Sequence, residues 1–265
     1  MAGAVRHVQC RSALSRSRLP GLDWALNPYK GCAHGCLYCY AQDVTRFALD
    51  RPWGSAVEAR VNIASRLRKE LRKGVGGVVG VGTVTDPYQP AEADLELTRS
   101  CLAVLRRSGA SISVLTKSDL VLRDLDLLRG WGGAEVGLSV GCVDDSVSSW
   151  LEPGAPSPAR RVDALGRLSE EGVEVYLMAA PVVPSVSDSR EHVRSLVSAA
   201  RDAGIPRVIL DGLSPKPVAS ARLLSARPDL SLALARSRLP SWSSGVRALF
   251  EEECRSAGIG LSDAF

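Results

Sequence analysis

The sequence predicts an α/β fold built on a parallel sheet, and three observations carry that prediction. From residue 75 onward, short apolar runs alternate with segments of helical period, the signature of repeated strand–helix units. Several helical segments have starts and stops with a mechanism: Ser118 or Asp119 ahead of one, Pro158 in the first turn of another, Gly172 and Gly204 as closing residues. The 265 residues suffice for one large domain with a real core, and no fixed-period repeat or low-complexity tract interrupts them.

In chain order, a strand at Trp24 to Asn27 precedes a cysteine-rich loop, and a helix follows at about 56–73. Strands are then expected at Val75 to Gly82, Ser111 to Thr116, Glu135 to Val140, Glu174 to Ala180 and Arg207 to Leu210, six in all. Helices at about 91–107, 119–129, 158–171 and 189–203 separate them. The Pro, Ser and Arg-rich stretch 214–245 reads as loosely packed and leads to a last helix at about 243–257. Right-handed crossovers between parallel strands leave two architectures, an open doubly wound sheet or a curved partial barrel. In both, ligands bind at the C-terminal ends of the strands, so the segments just after each strand are where chemistry is expected.

Composition excludes some classes. With 45% hydrophobic and 23% charged residues the chain is ordinary globular material. No apolar run approaches the roughly 18 residues of a membrane span, and the N-terminus lacks the apolar stretch of a secretory signal, so a cytoplasmic location without membrane contact is expected. The net charge of +4 is concentrated at the start, where Arg6, Arg11, Arg16 and Arg18 precede the first acid, Asp23. Such a basic arm, residues 1–22, suits phosphate contact and equally a solvated terminal segment.

Of seven cysteines, Cys10, Cys101, Cys142 and Cys254 are scattered, while Cys32, Cys36 and Cys39 stand together in GCAHGCLYCYA. An odd count with one cluster argues against a disulfide framework and for metal or redox use of the cluster. Gly31 and Gly35 let the backbone of this loop curl. Zinc would usually take a fourth ligand from a second distant pair, which is absent, leaving Cys10 or His34 to complete such a site. A 4Fe-4S cluster is held by three cysteines when its last iron binds something else. Three readings therefore stand side by side: zinc, a structural or electron-transfer cluster, and a catalytic cluster with an open position.

C-x3-C-x2-C with an aromatic before the third cysteine, after the first strand of a strand–helix series, resembles the radical S-adenosylmethionine (SAM) superfamily. The longer string LNPYKGCAHGCLYCYA is similar to the branch related to spore photoproduct lyase, described as DNA repair photolyase-like. So are GTVTDPYQPAE at 82–92, the pair Thr116–Lys117, and WLEPGAPSPARRVDALGRLSEEGVEVYLMAAPVVP at 150–184; together the matches run from about residue 12 to 212. The resemblance implies a partial (β/α)6 TIM-like barrel over residues 23–212, followed by a C-terminal extension, 213–265, packing on it. It implies that Cys32, Cys36 and Cys39 hold a 4Fe-4S cluster whose fourth iron is chelated by SAM. One electron, from a donor such as a ferredoxin or flavodoxin, then cleaves SAM to methionine and a 5'-deoxyadenosyl radical that abstracts hydrogen from a substrate.

Carried over by position, the resemblance gives Tyr38 the adenine and makes Tyr40 either a core aromatic or a hydrogen-atom relay. Lys117, emerging at the end of SISVLT, and Ser139, near the end of EVGLSV, are expected to contact SAM. Arg161, an arginine fork after the proline-stiffened loop EPGAPSPARR, is expected on the SAM carboxylate or on Glu152. Thr83, Thr85 and Asp86 offer oxygens to the SAM amine, with Asp86 before Pro87 also reading as a turn residue. One departure matters: the lyase uses an extra cysteine near the end of the second strand, and GVGTVTDPYQ has none. Photoproduct repair itself is therefore not expected, and a nucleic acid leads among substrates that also include a metabolite, a peptide or another protein. The rival reading is a non-catalytic iron-sulfur or zinc protein using the same thiolates.

Overall fold

A computed structural model describes residues 4–264, so the first three residues of the basic arm lie outside it. In chain order the strands are β1 (Ala4–Val8), β2 (Leu14–Arg16), β3 (Trp24–Leu26), β4 (Tyr29–Lys30), β5 (Ala56–Arg60), β6 (Val78–Val81), β7 (Ser111–Thr116), β8 (Ala134–Ser139), β9 (Glu174–Val182), β10 (Arg207–Gly212) and β11 (Gly260–Asp263). Eight of them form one sheet in the order β11-β10-β9-β8-β7-β6-β3-β2, parallel throughout except for the antiparallel β2–β3 pair. A small second sheet, β1-β5-β4, lies beside it.

That order decides between the two architectures. A doubly wound sheet reverses its winding at a switch point, whereas here each new parallel strand is added on the same side of the last, from β3 through β6 to β11. Single-direction winding without closure is a partial barrel. The six strands expected from the sequence are β3 and β6 to β10, and β11 adds a seventh parallel strand after the last helix.

The core lies between the sheet and the helices Leu97–Ser108, Pro158–Glu170 and Arg190–Asp202. Val193, Leu196, Val197 and Ala200 are buried at helical spacing on the last of these, and Val114, Leu138, Leu177 and Val208 join the same core from the sheet with no exposed surface. Each such Leu or Val side chain contributes about 1.5–3 kcal/mol by leaving water.

Several expected elements change. The helix expected over 56–73 begins only at Ile63; residues 56–60 form β5, because Val57 and Ala59 alternate with more exposed neighbours and pair with β1. The helix expected over 91–107 breaks at Glu96, whose φ of 48° is left-handed, and Glu92 accepts from the N–H groups of Thr98 (2.9 Å) and Arg99 (3.1 Å) to cap the resumed helix. Residues 119–124 wind as a 3-10 helix capped by Ser118 before the turn Leu125–Leu128. The stretch 214–245 is not loosely packed: Pro217 and Pro240 sit in the first turns of the helices Pro217–Ala226 and Pro240–Ala257, and Leu223, Leu230 and Leu234 build a second apolar core. The arm is woven into the fold, with β1 on β5, Arg6 paired with Glu58, and Arg16 stacked 4.0 Å from the Trp24 ring centre.

Candidate cofactor site

The cysteine loop leaves β4 at Gly31, where φ is 81° and a Cβ would lie 2.4 Å from the Ala56 carbonyl oxygen, so glycine is required twice over. Two turns follow, Gly35 N–H donating to Cys32 O at 3.3 Å and Cys39 N–H to Cys36 O at 3.2 Å. Neighbouring segments pin the loop. Thr85 Oγ1 (2.6 Å) and Gln89 Nε2 (3.2 Å) donate to Gly31 O, and Gln89 Oε1 accepts from Ala33 N–H at 2.8 Å. From the other side, Gly154 N–H donates to His34 O and Leu37 N–H to Leu151 O, both at 2.9 Å.

All seven cysteines are unpaired, and Cys32 and Cys36 are buried. Burial first, then neighbouring negative groups, pushes the Cys32 thiol well up, and burial with Glu152 pushes Cys36 to about 12. Thiols so placed become thiolates only with a cation among them. Among the described residues no three His, Cys, Asp or Glu side chains gather around a point for a single metal ion. Cys10 is held through its backbone by Asn62, with hydrogen bonds of 2.8 and 3.0 Å, and His34 faces Asp86; among the described residues neither gathers with the loop cysteines around one metal point. Three soft donors on one short loop, two of them buried, fit an iron-sulfur cluster that binds each thiolate at a separate iron.

Beside the loop, at the C-terminal ends of β7 and β8, five of the expected residues meet. Arg161 is fully buried and donates through Nη1 to Glu152 Oε2 (2.5 Å) and Ser139 O (3.0 Å), and through Nε to Pro156 O (2.8 Å). Its Nη2 is buried with no hydrogen-bond partner among the described residues. Tyr38 donates its hydroxyl to Glu152 Oε1. Lys117 Nζ donates to Ser139 Oγ at 2.9 Å and lies 3.7 Å from Glu152 Oε1, and Ser139 Oγ donates to Ala180 O at 2.8 Å. Burial would raise the Glu152 carboxyl, but Lys117 and Arg161 outweigh it and hold the group ionised below the usual range. Two cations, the buried Arg161 and the half-buried Lys117, against one carboxylate leave a positive charge and an unused N–H, which suits a ligand carboxylate.

Residues 26–197 match the family described as the Radical SAM superfamily, 172 of 265 positions. The chain belongs to the radical SAM superfamily. Members of this superfamily are enzymes that use a 4Fe-4S cluster and SAM. An uncharacterised protein of Methanocaldococcus jannaschii is 34% identical over 181 residues, 68% of either chain. One of Mycobacterium tuberculosis is 33% identical over 218 residues, 78% of this chain, which spans just under two thirds (64%) of that relative's length. Spore photoproduct lyase complexed with dinucleoside spore photoproduct shares the fold with a TM-score of 0.76 at 15% identity, over 98% of this chain and 82% of that one. Streptococcus suis SuiB bound to S-adenosylmethionine superposes at 0.55 and 15% identity, over 90% of this chain and 49% of that one. The partial barrel is thus the radical SAM fold. Among the described residues no helix is long and apolar enough to cross a membrane.

Beside the cysteine loop, Thr85 and Asp86 turn inward. Thr85 Oγ1 serves the cysteine loop, and Asp86 accepts from Thr116 Oγ1 (2.6 Å), Tyr88 N–H and Lys117 N–H (both 2.8 Å), with His34 Nδ1 3.3 Å away. Thr83 bonds Asn27 Nδ2 at 3.0 Å, and its carbonyl accepts the Tyr40 hydroxyl at 2.6 Å. Tyr40 is 39% exposed, which sets aside its reading as a core aromatic. Gly82, at φ 90°, brings this segment over the strand ends; a Cβ there would lie 2.4 Å from Pro87 Cδ. Sequence reasoning missed Asn27, Gln89 and Arg222 as supports of the site. Gln89 stands inside a string already singled out, whereas nothing local marks Arg222.

Asp86 makes acid stability informative. Burial would raise its carboxyl, but the His34 it faces and its hydrogen bonds hold it at about 2, against 3.8 when exposed. The folded state thus binds fewer protons than the unfolded one between these values, so the contribution of Asp86 is complete above about pH 4 and lost as pH falls towards 2. It amounts to roughly 2 kcal/mol. Urea unfolding is expected to show wild type losing about that much more stability than Asp86→Asn between about pH 5 and pH 2; parallel losses would refute the assignment.

Proposed function

We propose that Cys32, Cys36 and Cys39 hold the 4Fe-4S cluster and that the adjoining cations Lys117 and Arg161 hold SAM. When bound, the cluster and SAM supply a reductively generated 5'-deoxyadenosyl radical for hydrogen abstraction. The observation that carries the placement is the unpartnered guanidinium nitrogen of Arg161 in a knot with one excess positive charge, next to three unpaired thiols. Arg161 and Lys117 receive the SAM carboxylate, with Ser139 fixing the lysine and Glu152 fixing the arginine. Tyr38, locked by its bond to Glu152 and 5.5 Å under Lys117, faces the adenine end. Thr83 contributes oxygens for the amine, while Thr85 and Asp86 hold the loop and the end of β7. Packed walls around these groups exclude water. Tyr40, a partly exposed phenol at the mouth of the site, is the hydrogen-atom relay.

A nucleic-acid substrate is favoured by the fold shared with a lyase solved with a dinucleoside photoproduct and by exposed Arg11 and Arg18 on the arm. A cytoplasmic reductant such as a ferredoxin or flavodoxin completes the reading. Anaerobic reconstitution with iron and sulfide, reduction and addition of SAM is expected to yield methionine and 5'-deoxyadenosine. A fully loaded cluster that yields neither would leave a non-catalytic iron-sulfur protein.

A further inference from the structure

The helix Pro217–Ala226 lies far along the chain from the cysteine loop, yet it grips that loop with a single side chain. Arg222 donates through Nε to Leu37 O at 2.9 Å, through Nη2 to Cys39 O at 2.6 Å, and through Nη1 to Gln42 Oε1 at 2.9 Å. Its guanidinium also lies 5.5 Å from the centre of the Trp53 ring. We infer that Arg222 is a positioning residue for the cofactor loop, fixing the turn that carries Tyr38 and the third cluster ligand, Cys39. The inference rests on the proposal that Cys39 is a ligand.

Three features make this more than a surface contact. The planar fork spans the carbonyls on either side of Tyr38, so it fixes both the position and the rotation of that peptide segment, which a point charge does not do. The helix bearing Arg222 is itself tied to the short helix Ala41–Thr45 that follows the loop, since Asp43 accepts from the N–H groups of Val218 (2.8 Å) and Ala219 (3.0 Å) in its first turn. Leu223 belongs to the second apolar core, against which Leu37 and Tyr38 pack. The loop and the helix Pro217–Ala226 therefore form one unit. The arginine also places a fixed positive charge beside Cys39, and charge and hydrogen bonding around a cluster set its reduction potential.

The test uses the full chain. In Arg222→Leu, iron and sulfide loading is expected to fall about tenfold at limiting iron, as when an outer partner of a metal ligand is removed. The clusters that do form should show a more negative midpoint potential and an altered reduced-state electron paramagnetic resonance spectrum, with unchanged far-UV circular dichroism. Arg222→Lys keeps the charge without the fork and should recover the potential more fully than the loading. Wild-type loading together with a wild-type potential in Arg222→Leu overturns the inference.

A second measurement needs no cluster. In the metal-free chain, alkylation of Cys39 followed by peptide mapping should be several-fold faster in Arg222→Lys than in wild type, with core Cys101 protected in both; equal Cys39 rates overturn the inference. A wild-type chain that takes up no cluster would sink the ligand assignment instead, and the alkylation comparison would still decide Arg222.

Discussion

Cys36→Ala is expected to lose the brown 4Fe-4S chromophore and to bring 5'-deoxyadenosine formation down to the background of the metal-free chain. Cys36 is 6% exposed and shares its surroundings with Glu152, Lys117 and Arg161, so on the proposed reading it would serve the cluster right beside the groups that would hold SAM. On that reading an alanine would leave one iron without a protein ligand and open that corner to solvent. Cys101 is the control: it is fully buried on the helix Leu97–Ser108, away from the loop, and its thiol packs as a small hydrophobe. Cys101→Ala should cost about 1 kcal/mol of stability and leave loading and turnover intact. Iron analysis, visible absorption and product chromatography on the two variants separate a ligand from a core cysteine. Wild-type turnover in Cys36→Ala would defeat the proposed site.

The local part of this site was legible in the sequence because its signals are local. Three cysteines within eight residues, glycines where the backbone must turn, and a lysine just past an apolar strand each declare themselves within one element. Lys117 and Ser139 do emerge at the ends of β7 and β8, where parallel strands present ligands. Long-range partnership was not legible. AVEAR at 56–60 looked like the start of a helix because its strand partner, β1, lies about fifty residues away. Asp86 offered oxygens to a ligand in sequence, but its inward hydrogen bonds to Thr116 and the Lys117 N–H depend on how β6 and β7 stack. Arg222 sits in a Pro, Ser and Arg-rich stretch whose composition suggests looseness, and its role follows only from the return of the chain to the cysteine loop. The helix break at Glu96 was hidden because a charged residue in a left-handed conformation has no sequence mark comparable to glycine.

Arg161→Leu is expected to destabilise the fold by about 3–5 kcal/mol, the cost of leaving a buried carboxylate without its partner. Arg161 has no exposed surface and Glu152 is 5% exposed, so solvent cannot replace the lost 2.5 Å bond. The substitution also strands the carbonyls of Ser139 and Pro156. Lys117 at 3.7 Å and the Tyr38 hydroxyl remain near Glu152 and keep the loss from being larger. Arg161→Lys should recover only part of it, because one ammonium cannot reach Glu152, Ser139 O and Pro156 O together. Urea titrations of Arg161→Leu, Glu152→Leu and the double variant test the pairing itself: the double variant should be clearly more stable than additivity allows, since removing both charges ends the desolvation cost. Additive losses would mean that Arg161 acts through packing alone. Glu152 would then not be what holds the guanidinium in place, and the reason for placing the SAM carboxylate on Arg161 would weaken with it.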